Sequence, residues 1–87
     1  MTTKPPSPVQ PAPETALERV AYKAVAGIPT LEPHDQDRLG YNVWRFLKER
    51  RDTLEQSVRS AGARLLISEE EAVARIRASL KEQGWDV

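Results

Sequence analysis

The chain contains no cysteine, which excludes disulfide staples, thiolate metal sites and thiol nucleophiles. Rings are scarce, with one Phe, two Trp and two Tyr in 87 residues. Each aromatic side chain therefore counts heavily wherever it falls, in a core or at an interface. The four glycines, Gly27, Gly40, Gly62 and Gly84, are scattered, so there is no glycine-rich loop to cradle a phosphate. No apolar run approaches the roughly 18 residues of a membrane span. The N-terminal stretch has one lysine and no apolar h-region, so no secretory signal is expected and the default location is cytoplasmic.

Chemistry is equally thin. The single histidine, His34, stands in a polar connector beside Asp35 and Asp37. One imidazole with two adjacent carboxylates does not provide tetrahedral ligand spacing, so His34 reads as a helix-start residue in water rather than a metal ligand or general base. The run Glu69-Glu70-Glu71 reads as acids at the positive end of a helix dipole. No catalytic residue, metal, cofactor or small-molecule substrate is expected, and the chain is read as non-enzymatic.

Net charge is absent too, but its zero total hides an uneven spread. Residues 1–37 carry net −2, residues 38–64 carry net +4, and residues 65–87 carry net −2. A neutral total argues against a general nucleic-acid binder, while the central basic block leaves a local one open.

What is present is proline at one end and amphipathic pattern after it. Residues 1–13, MTTKPPSPVQPAP, hold five of the seven prolines. Proline lacks the N–H that helix interiors and strand ladders need, so this stretch is expected to be a disordered, extended arm. PPSP and PVQP match ligands of proline-recognising grooves, but a solubilising leader is the commoner role of such short motifs. Residues 14–87 then form a single helical domain, small enough for a partner or self-association to be a natural supplement to its core.

A first helix is expected over Glu14–Ala26, with Leu17, Val20, Ala21, Ala24 and Val25 on its apolar stripe, Gly27 as a left-handed stop and Pro29 beyond it. The connector IPTLEPH places Leu31 as a core anchor. The central helix runs from Asp35 to about Ala61 and turns Leu39, Val43, Phe46, Leu47, Leu54, Val58 and Ala61 to one side. Gly40 inside it costs about 1 kcal/mol relative to alanine, which close approach of another backbone would offset. Arg50 interrupts the stripe, and Asp52-Thr53-Leu54-Glu55 resembles a fresh N-cap, so the segment either continues or breaks near Arg51. The continuous form is preferred because no Gly or Pro intervenes, with Gly62 as its stop.

Leu65, Leu66 and Ile67 are expected to plug the core from an extended link, no second strand being evident. Ser68 and Glu71 match a capping box with Ile67 and Ala72 as a hydrophobic staple. The last helix then faces Ala72, Val73, Ile76 and Leu80 inward and ends at Gly84, with Trp85 folding back. The fold expected is therefore all-α, a small three-helix domain with a long central helix.

The functional clue is a second face of that helix. Tyr41, Trp44, Lys48, Arg51 and Arg59 point away from the apolar stripe, and exposed rings among cations dominate interface energetics. Trp44 and Tyr41 are otherwise to be packed beneath a neighbouring helix, widening the core. The preferred function is a small accessory or regulatory protein that binds a protein partner, or a second copy of itself, through this face. The alternative is a small DNA-binding regulator, antitoxin-like or helix-turn-helix, with Arg45, Lys48, Arg51 and Arg59 on phosphates. It ranks second because Asn42, Gln56 and Ser57, the short polar side chains that read bases, are scattered around the helix.

Overall fold

The computed structural model describes residues 13–87, with side chains from residue 16 onward. The proline-rich arm expected over residues 1–13 lies outside the described residues except for Pro13, the first residue of the first helix. The domain is all-α, as its sequence periodicity requires, with four helices: α1 (Pro13–Val25), α2 (Pro33–Glu49), α3 (Leu54–Ala61) and α4 (Glu69–Glu82). Each helix packs against the next, and α4 closes the ring by packing on α1. At the centre lie Ile28, Leu39, Val43, Leu54, Ile76 and Leu80, all essentially sealed from solvent, with Ala21, Val25, Val58 and Val73 around them.

The central segment is not one helix. It breaks after Glu49, because Arg50 takes the left-handed conformation (φ 53°, ψ 32°) and its N–H caps Phe46 O at 2.8 Å. Thr53 then starts α3, its hydroxyl accepting from Gln56 N at 3.1 Å. The two signals visible in the sequence, Arg50 within the stripe and the Asp52–Glu55 cap pattern, therefore outweigh the absence of Gly and Pro. The reason is burial. Folding α3 back lets Leu54, Val58 and Ala61 join the core that α2 already faces.

Two further expectations are corrected. Gly27 does not adopt a positive φ. Instead α1 closes through a tight turn in which Ile28 N donates to Val25 O at 3.0 Å. The two connectors also pair: Thr30 and Leu65 form an antiparallel bridge, flanked by Leu31 N to Arg64 O at 2.9 Å and Leu66 N to Pro29 O at 3.0 Å. In extended backbone alternate side chains point to opposite sides. Leu65 and Ile67 consequently pack on the core, while Leu31 and Leu66, expected to be anchors, are 55% and 60% exposed.

The last helix follows its signals. Ser68 Oγ accepts from Glu71 N at 3.0 Å, and Ala72 is buried while Ile67 is half-buried, as a staple requires. The reciprocal half of the box is replaced by an ion pair, Arg75 to Glu71 at 2.6 Å. At the far end Gly84 (φ 95°) reverses the chain, Gly84 N donates to Lys81 O at 3.0 Å and Trp85 N to Leu80 O at 2.9 Å. This pair of bonds is the Schellman arrangement, and it turns Trp85 back onto the core. Between α3 and α4, Glu55 accepts from Arg77 at 3.0 Å; its own backbone N–H in the first turn of α3, then Arg77, hold its carboxyl below the usual carboxylate range.

The break makes α3 dependent on its cap. Eight residues form too short a helix to persist alone. Thr53→Ala is expected to cost about 1 kcal/mol, and Ser68→Ala a similar amount. In thermal unfolding each should lower the midpoint by about 4–8 °C; an unchanged midpoint for Thr53→Ala would show that α3 is positioned by burial alone.

Candidate functional site

Helix α2 starts at Pro33 after an extended Glu32, a position where the missing N–H of proline is harmless. Its inward positions are Leu39, Val43, Phe46 and Leu47. The opposite side brings together three of the five partner-binding candidates. Tyr41, Trp44 and Lys48 follow an i, i+3, i+7 spacing and so share one face. Tyr41 is 50% exposed, and its ring centroid lies 5.5 Å from that of Trp44 with the planes tilted by 40°. The Lys48 ammonium stands over the indole at 4.7 Å, and the Arg45 guanidinium lies 6.0 Å from the Tyr41 centroid while reaching Glu49 at 3.7 Å. The rings thus form a ledge edged by cations, within cation–π range.

The two rings play different parts. Trp44 is half-buried and packs against the core cluster. Its Nε1 is shielded from solvent and meets no acceptor among the described residues, an arrangement that costs about 1–3 kcal/mol. Trp44 therefore belongs partly to the core, and Tyr41 stands outside it.

Arg51 and Arg59 are not on this ledge. Arg51 follows the left-handed turn and lines a small polar cleft between α2 and α3, with Asn42, Glu49 and Ser57. Arg59 is held at the α3–α4 junction, 3.1 Å from Gln56 Oε1 and 3.5 Å from Glu69 Oε1. The break in the central segment separates them from Tyr41 and Trp44. Of the four phosphate candidates, Arg45 and Lys48 flank the rings, Arg45 also lines the cleft that holds Arg51, and Arg59 lies at the α3–α4 junction.

One ring of this surface was not anticipated. Tyr22 of α1 is 40% exposed and its ring packs against Gly40. A Cβ at Gly40 would overlap Tyr22 Cε1 and Cδ1, so the glycine admits an aromatic ring rather than another backbone. Tyr22 and Tyr41 face each other across an open groove of about 500 Å³, which Asp37, Arg38, Asn42 and Ser60 also line. Below it, Arg38 donates to Ala61 O at 3.4 Å and Gly62 O at 3.3 Å, and Asn42 donates to Ser57 O at 2.9 Å. These bonds fasten α2 to α3 along the groove. Partial burial, then the nearby Asp37 and Glu18 charges, push the Tyr22 phenol above its usual value. The signal for Tyr22 was a mid-helix glycine together with a tyrosine off the apolar stripe of the preceding helix.

His34 is exposed, 3.4 Å from Glu32 and 3.8 Å from the buried Asp35. Among the described residues no group of three or more His, Asp or Glu side chains is placed to hold a metal ion. No described helix is long and apolar enough to cross a membrane. No protein-family model, curated protein or solved structure matches the chain.

The contact between Tyr22 and Gly40 gives a double-mutant test. Gly40→Ala alone should destabilise the domain by about 1 kcal/mol, because displacing the ring outweighs the helix-propensity gain. In a Tyr22→Ala background the same change should stabilise by about 1 kcal/mol. Equal effects in both backgrounds, measured by urea unfolding, would mean that the two residues are not coupled.

Proposed function

We propose that the chain is a non-enzymatic protein-interaction module, a small accessory or regulatory protein that docks a protein partner through the exposed face of α2. The observation that carries this reading is Tyr41: half exposed, braced against Trp44, and flanked by Arg45 and Lys48. A ring fixed in this way offers large area at little entropic cost on binding, the property shared by interface hot spots. Tyr22 extends the apolar surface on the neighbouring helix. The DNA-binding alternative is less favoured. Arg59 is engaged by Glu69, Arg45 by Glu49, and Arg38 by the C-terminal carbonyls of α3, so three cations of the basic block already have partners within the chain.

The test uses the full chain as bait, with three forms compared. Tyr41→Ala should keep the wild-type helicity by circular dichroism and lower recovery of a specific partner at least tenfold. Glu82→Gln, on α4, should change neither. Trp44→Ala is the wrong probe, since its packing makes a loss of about 2 kcal/mol of stability the expected result. Equal recovery with Tyr41→Ala would sink the reading. Micromolar binding of random duplex with a steep salt dependence would replace it with the DNA-binding one.

A further inference from the structure

Asp37, Tyr41 and Arg45 stand four residues apart along α2 and are all exposed. Side chains at i, i+4 and i+8 form one ridge on a helix surface. This ridge lies opposite Leu39 and Val43, which face the core. It reads acid, ring, base, with about 6 Å of helix rise from each member to the next.

The two charged ends differ in what surrounds them. Asp37 has no hydrogen bond or ion pair among the described residues, and it lines the open groove of about 500 Å³ between Tyr22 and Tyr41. Partial burial, then the charges of Asp37 and Glu18, raise the Tyr22 phenol, so this wall of the groove carries negative potential. Arg38 also lines the groove, but its guanidinium is directed at the Ala61 and Gly62 carbonyls, at 3.4 and 3.3 Å. At the other end of the ridge, the Arg45 guanidinium lies 6.0 Å from the Tyr41 centroid. Its contact with Glu49 is 3.7 Å long, and the Arg45 side chain is 52% exposed. An exposed pair of this kind contributes little and exchanges readily for a better one.

A ridge of this composition is its own complement. Turned end for end about a two-fold axis at Tyr41, it sets base against acid twice and places ring beside ring. Ridges of i, i+4 spacing lie side by side when two helices cross at about 50°, the commonest class of helix packing. The groove next to Tyr41 is wide enough for an incoming aromatic ring, and its acidic wall suits the arginine that follows that ring.

We propose that the occupant of this face is a second copy of the chain. The two α2 helices pack antiparallel, with Asp37 of each copy on Arg45 of the other and both Tyr41 rings at the axis. This rests on the reading of the outer α2 face as a docking surface and names the partner. One helix pair makes a small interface, so the dimer is a weak one.

Sedimentation equilibrium of the full chain, over about 10 μM to 1 mM, tests the register through charge. The wild type should move toward twice its 9.8 kDa mass as concentration rises. Asp37→Arg alone and Arg45→Asp alone each set like charges together at both ends and should weaken association at least tenfold. Both positions are exposed, so circular dichroism should show wild-type helicity in each. An equimolar mixture of the two variants restores opposite charges at both ends, as does the double variant Asp37→Arg/Arg45→Asp. Both should associate within about threefold of the wild type. A wild type that stays monomeric throughout would overturn the proposal. So would single variants that associate like the wild type, or a mixture no stronger than its components. Partner recovery separates this inference from the wider one. A monomeric chain whose capture of a different protein still depends on Tyr41 overturns only the self-association.

Discussion

The fold depends on one residue in an uncommon conformation. Arg50 is the only described non-glycine residue with positive φ, a state that costs an L-residue about 1–2 kcal/mol. Three interactions offset that cost. The Arg50 N–H caps Phe46 O, its guanidinium lies 5.3 Å from the Phe46 ring centroid, and Nη2 donates to Asp86 O at 3.1 Å. The turn lets α3 fold beside α2 and gives α4 two helices to close against. Without it, Leu54 and Val58 would continue along a rod with nothing to cover them.

The same turn determines which side chains share the outer face of α2. By redirecting the chain after Glu49 it carries Arg51 and Arg59 away and leaves a short aromatic ledge with Arg45 and Lys48 beside it. Side chain to backbone bonds from Arg38 and Asn42 then pin α3 beneath the ledge. Tyr22 completes it from α1, and a glycine makes room for the ring. The surface is therefore assembled from three helices, although most of its chemistry belongs to one.

Much of this was legible in the residues. Helical periodicity identified the all-α class and most of the core, and local chemistry marked the Ser68 cap, the Gly62 and Gly84 stops and the return of Trp85. These features are encoded within a few residues, so a linear reading finds them. The break at Arg50 was visible as a conflict in the apolar stripe, but its outcome depended on burial against α4, which is far away in the chain. The pairing of Thr30 with Leu65 was illegible for the same reason. A bridge of one residue pair has no periodic signature, and it exposes Leu31 and Leu66, which composition alone assigns to the interior. At the candidate site, Tyr41 and Trp44 were found from spacing. Tyr22 was missed because its place is set by a neighbour on another helix.

The proposed docking falls on the outer face of α2 and not on the basic turn or on the exposed Leu31 and Leu66. Hydrogen exchange of the full chain, with and without a partner recovered by it, tests this most directly. Slowed exchange is expected at residues 41–48 and around Tyr22, with the 64–66 and 50–53 stretches unchanged. Protection confined to either of those stretches, with residues 41–48 exchanging as in the free protein, would contradict it.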